Sequence, residues 1–116
     1  MRVLAAVLLM AALGACAAPR PERVSYGPEA DAGHAFVARA CAGCHAVGET
    51  GRSTDPASPP FRVLAQTRSP EQLRSALEAV AQHGHVQMPP IYSTPDERDH
   101  ILRYLAALKR RTSPHT

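Results

Sequence analysis

Residues 41–45 read Cys-Ala-Gly-Cys-His, and no other stretch of this 116-residue chain restricts its fold so strongly. Cys41 and Cys44, three apart, occupy neighbouring positions of one helical turn, so both thiols can reach one flat ligand. His45 then points a ring nitrogen at the centre of that ligand. C-x-x-C-H is the attachment pattern of c-type haem, with two thioether bonds to the porphyrin edge and an axial imidazole on iron. Two plainer chemistries also use C-x-x-C. A thiol–disulfide redox pair does not require the histidine. A zinc site needs two further ligands at similar spacing, and no second cysteine pair exists.

Composition agrees with a cofactor-filled interior. There is no Trp, and the only aromatics are Tyr26, Phe36, Phe61, Tyr92 and Tyr104. A folded region of under about a hundred residues with so few large side chains has a thin core. A covalently held macrocycle would thicken it. The formal charge is +3 and becomes +2 once Arg2 leaves with an N-terminal signal. Two haem propionates bring the sum near neutral, so the arginines are not a nucleic-acid footprint. Arg103, Lys109, Arg110 and Arg111 make the C-terminal end locally basic. That arrangement suits a solvated helix end, and a docking patch for an acidic partner is the sharper alternative.

Along the chain, Met1-Arg2 and the apolar run Val3 to Leu13 form a secretory signal, too short to span a bilayer. The run closes on Leu13-Gly14-Ala15-Cys16, which resembles the lipobox of bacterial lipoproteins. The resemblance implies cleavage after residue 15 and lipidation of Cys16, with acyl chains sufficient for stable anchoring. An ordinary cleavage site beside an incidental cysteine is the alternative. With Cys16 given to lipid and Cys41 and Cys44 to haem, no thiol is left over. Residues 16–28, rich in proline, read as the lipidated cysteine and a flexible tether. Ala17 rather than Asp after the cysteine points, by resemblance to enteric lipoproteins, to the outer membrane.

The domain is expected over 29–111, followed by a disordered tail at 112–116. A first helix is read from Pro28 or Glu29 to Cys44. Its apolar stripe comprises Gly33, Phe36, Val37, Ala40, Cys41 and Cys44. Gly33 costs helix stability and is therefore read as a site of close helix approach. Residues 46–60 form a loop. A second helix runs from Pro70 to about His83, capped by Ser69 and Gln72 and stopped by Gly84. His85 to Ser93 is irregular. The last helix starts behind a Thr94/Glu97 capping box and buries Ile101, Leu102, Tyr104, Leu105 and Leu108. No strand-like alternation is present.

Three helices, C-x-x-C-H at the end of the first and Met88-Pro89 between the second and third resemble a class I cytochrome c. The resemblance covers about residues 30–109 and includes Gly33, Phe36, Val37, Pro59-Pro60-Phe61 and Ile101 to Leu105. It implies an all-α small cytochrome c fold, three main helices around one covalently attached haem c with its iron. It also implies a first and last helix crossing at Gly33, facing Tyr104. Cys41 and Cys44 would carry the haem, and His45 and Met88 would ligate its iron. Pro59, chosen over Pro60, would orient His45 through its backbone carbonyl. Met88 would be the sole methionine of the mature chain, since Met1 and Met10 leave with the signal. Its alternative role is core filler, and His83 and His85 are rival ligands. His34, His100 and His115 are read as surface residues. The chain departs from many relatives in lacking a tryptophan near a propionate and a ring of lysines; Arg62 is offered for the propionates.

With both axial positions filled, no site is open to a substrate. The expectation is a non-enzymatic, lipid-anchored carrier facing the periplasm, passing single electrons between redox protein partners, with no nucleic-acid role. It would be a monomer or part of a redox complex. One alternative is the cytochrome subunit of a larger envelope oxidoreductase. Another is a haem-based sensor or ligand binder in which Met88 is labile.

Overall fold

A computed structural model describes residues 22–114. The signal segment, Cys16, most of the tether and His115 lie outside the described residues. The described chain contains four helices and no named strand: α1 (Pro28–Ala40), α2 (Phe61–Thr67), α3 (Pro70–His83) and α4 (Pro95–Thr112). The all-α cytochrome c fold expected from the sequence is present, with α2 as a fourth, short element.

The helix starts follow from local chemistry. Pro28, Pro70 and Pro95 each open a helix, where a missing N–H costs nothing. Ser69 Oγ accepts from Gln72 N at 3.2 Å while the Gln72 side chain accepts from Ser69 N at 2.8 Å. Thr94 and Glu97 repeat the arrangement at 3.2 and 2.8 Å. At α1 no cap side chain is used, and Gly27 enters at φ 100°. Asp31 instead reaches back, accepting from Tyr26 N and Ser25 Oγ, both at 2.7 Å. These bonds, the one from Tyr26 above all, hold its carboxyl below the usual carboxylate range. Tyr26, inside the stretch read as tether, thereby packs edge-on against Tyr104 at 5.0 Å.

The core is the crossing of α1 and α4, where Val37, Ile101, Tyr104 and Leu108 are fully buried. Gly33 makes the crossing possible. A Cβ there would lie 2.1 Å from the His100 carbonyl oxygen and 2.8 Å from Ile101 N, both backbone atoms of α4. The nearest neighbour is thus the backbone one turn before Tyr104, where the sequence had placed Tyr104 itself. The Tyr104 ring lies beside the next residue, His34, at 4.9 Å. The Tyr104 hydroxyl donates to the Val47 carbonyl and ties the 46–60 loop to α4. Burial raises the Tyr104 hydroxyl well above the ordinary tyrosine range. His34 and His100, read as surface residues, are half-buried at this crossing.

Two further departures have local causes. α1 stops at Ala40, because Ala42 N turns to the Val37 carbonyl, five residues back, at 3.1 Å. The ladder is broken there, and residues 41–45 continue as turns. α2 has no counterpart in the sequence pattern, because at seven residues it is too short to display a helical period. It buries Phe61 and Ala65, and Gln66 Nε2 donates to Lys109 O (3.1 Å), Thr112 Oγ1 and Ser113 Oγ (both 3.2 Å) at the end of α4. On α4, Leu102 is half-buried and Ala107 takes the core place expected of it. Part of the basic cluster is engaged: Arg103 pairs with Glu29 at 3.0 Å and Arg111 with Glu49 at 2.6 Å.

Candidate functional site

The pentapeptide 41–45 hangs from the end of α1, the helix locked to α4 by Gly33. Cys44 N and His45 N both bond the Cys41 carbonyl, at 3.2 and 3.0 Å. A helical spacing therefore persists through the motif although the helix proper has ended. Cys41 is half-buried and Cys44 exposed. Burial pushes the Cys41 thiol up to about 11. An activated redox dithiol needs the opposite shift, so the thiol–disulfide reading finds no support. The zinc reading fares no better: among the described residues no three of His, Cys, Asp and Glu gather to hold an ion.

The loop that follows is stitched back onto the motif. Thr54 Oγ1 donates to the Gly43 carbonyl at 2.6 Å and Asp55 N to the Cys44 carbonyl at 3.3 Å. Ala46 N bonds Ser53 Oγ at 3.0 Å, and Phe61 N bonds the Ala46 carbonyl at 2.9 Å. Asp55 is held below its ordinary range, first by the Ser58 hydroxyl, then by Ala57 N. These bonds deliver the Pro59 carbonyl oxygen to 2.7 Å from His45 Nδ1. A carbonyl can only accept, so Nδ1 donates in this contact, which leaves Nε2 as the ring nitrogen available to a metal. The imidazole is further steadied by the edge of Phe61 at 5.2 Å.

Opposite His45 stands the segment after α3. Gly84 leaves the helix at φ 67°, and His85 pairs with Met88 across a two-residue turn. The His85 ring centre lies 6.0 Å from that of His45. Met88 is half-buried. His83, the other rival, is exposed at the end of α3.

These residues fit a haem. One face of α3 is apolar, yet no residue of the helix is buried; Leu73 and Leu77 only partly reach the core. Leu64 and Val80 are likewise half-exposed. A large flat apolar body held by the motif would cover such half-exposed side chains. Arg62 Nη2 donates to the Gly51 carbonyl at 2.8 Å, whereas Nη1 is buried without a hydrogen-bond partner among the described residues. A buried unpaired guanidinium nitrogen is costly, and an anionic edge group such as a propionate would satisfy it. Haem supplies one-electron iron chemistry. The chain's own part would be to hold the macrocycle and orient an imidazole.

Sequence comparison gives the same answer independently. No curated protein matches the chain, and no solved structure does. A family model, described as cytochrome c oxidase, cbb3-type, subunit III, matches residues 28–105, about two thirds of the chain. The motif, the helical frame and this match converge: the chain belongs to the cbb3-type subunit III family of c-type cytochromes and is an electron-transfer cytochrome with covalently bound haem c.

Proposed function

We propose that this protein is a lipid-anchored monohaem carrier that passes single electrons between redox partners at the bacterial envelope, facing the periplasm. Cys41 and Cys44 form the two thioether bonds. His45 and Met88 ligate the iron from opposite sides, and Pro59 orients His45. The observation that carries the reading is the 2.7 Å contact between His45 Nδ1 and the Pro59 carbonyl, held by a loop bonded back to the motif. A fixed imidazole changes little between oxidation states, which is what fast single-electron exchange needs. Neutral sulfur on the other side favours ferrous iron and raises the potential. Cys16 is the lipid site, and the outer membrane is favoured over the inner.

The ferric absorption spectrum of the haem-loaded protein tests the ligand pair. A weak far-red sulfur-to-iron band is expected, and a low-spin spectrum without it removes Met88 from the iron. Cys44→Ala should leave one thioether bond and a shifted pyridine haemochrome; an unshifted one refutes the attachment role. Cys16→Ser should release the protein from membranes, and continued retention defeats the anchor. The family match supports a second reading, in which the chain is the cytochrome subunit of a larger oxidoreductase. Detergent extraction separates the two: a carrier runs as a monomer, a subunit co-purifies with an oxidase.

A further inference from the structure

We infer that His85 is a reserve iron ligand, sharing with Met88 a hairpin that offers either side chain to the distal position. The inference rests on the proposed site, with His45 as the fixed ligand, and adds a second occupant opposite it. His85 N bonds the Met88 carbonyl at 3.2 Å and Met88 N bonds the His85 carbonyl at 2.8 Å. Residues paired directly across such a turn project from the same face. His85 and Met88 therefore face the same way, and the His85 ring already stands near that of His45: their ring centres are 6.0 Å apart with planes 88° from parallel. Two imidazoles bonded to one metal from opposite sides, at roughly 2 Å each, hold their ring centres roughly 6 Å apart.

The hairpin is built to hold this arrangement. Gly84 N and Ile91 N both bond the Val80 carbonyl, at 3.0 and 3.3 Å, which pins the segment to α3 at both ends. A Cβ on Gly84 would lie 2.1 Å from the Met88 carbonyl oxygen, so only glycine lets the hairpin close. Val86, a β-branched residue at φ 49° and 97% exposed, occupies the turn. Loss of the Met88 thioether thus leaves an imidazole standing where the iron needs a ligand. The iron stays six-coordinate and low-spin, at lower potential, rather than opening to small ligands.

The test uses the haem-loaded full chain and compares wild type, Met88→Leu, Met88→Leu/His85→Gln and Met88→Leu/His83→Gln. Leucine matches methionine in volume, so the hairpin's packing is kept. Absorption and electron paramagnetic resonance spectra report spin state and ligand type, and redox titration reports potential. Met88→Leu should lose the sulfur band, remain low-spin with two nitrogen ligands, fall in potential and bind carbon monoxide slowly. Adding His85→Gln should turn it high-spin; adding His83→Gln should not. A high-spin Met88→Leu overturns the inference, and so does a low-spin state that survives His85→Gln. Failure of the underlying Met88 assignment looks different. Wild type would then lack the sulfur band, and single His85→Gln would decide: a high-spin product supports His85 as ligand, a low-spin product removes it.

Discussion

Gly33→Ala is the substitution from which the helix crossing has most to lose. The added methyl would lie 2.1 Å from the His100 carbonyl oxygen, 2.4 Å from its carbon and 2.8 Å from Ile101 N. All three are backbone atoms, so no side chain can swing aside. The helices must withdraw by about 1.3 Å, from 2.1 Å to the 3.4 Å at which ordinary contact begins. Overpacking of a close contact costs about 1–3 kcal/mol, and a backbone clash belongs at the upper end. Alanine returns about 1 kcal/mol of helix propensity over glycine. A net loss of roughly 2 kcal/mol follows, or about 8–16 °C in Tm for a domain of this size. The crossing also carries the fully buried Val37, Ile101, Tyr104 and Leu108, whose packing loosens with it. Thermal unfolding of the haem-loaded protein, followed by far-ultraviolet circular dichroism, measures the effect. Gly48→Ala is the control: its nearest atom stands 4.0 Å away, and a change within about 0.5 kcal/mol is expected. A Gly33→Ala protein as stable as wild type would refute the close-approach argument.

Three other perturbations isolate other parts of the molecule. Gly84→Ala should displace the 85–88 hairpin, through its φ of 67° and the 2.1 Å clash with Met88 O, and weaken the sulfur band; an unchanged band defeats this. Thr94→Ala removes the cap of α4 and should cost about 1 kcal/mol in denaturant unfolding while leaving the potential unchanged; a loss near zero would show the cap to be idle. Asp31 has a folded-state pKa below its ordinary 3.8, so the stability it adds is present above that value and lost as pH falls through the lower one. The gap in stability between wild type and Asp31→Asn should be steady near neutrality and close below pH 3.8; a constant gap down to strong acid contradicts the linkage.

Where a few adjacent residues carry the instruction, it was legible in the chain. Ser69/Gln72 and Thr94/Glu97 form capping boxes because each signal is complete within four residues. The start of α1 at Pro28 and the end of α3 at Gly84 follow from proline and glycine geometry. The end of α1 was not legible. Cys41 and Cys44 sit on the helical stripe, yet a single bond from Ala42 N to the Val37 carbonyl ends the ladder before them. Nor was α2, whose seven residues owe their helix to Phe61 and Ala65 entering a core built by α1 and α4. The Arg62 side chain, with one nitrogen on Gly51 and one buried and unpaired, gains its meaning only once the 46–60 loop has folded over the motif.

The sequence by itself determined the cofactor, since C-x-x-C-H is a local chemical pattern whose reach is one turn of chain. It also determined the helical class, because the apolar stripes and caps of three helices act over a few residues each. Tertiary structure alone decided which atoms face one another across the site. Gly33 against His100 rather than Tyr104, and His85 within 6.0 Å of His45, join residues 67 and 40 positions apart. Such pairings depend on how packed helices cross and where a pinned hairpin is aimed, and no local pattern of residues encodes them.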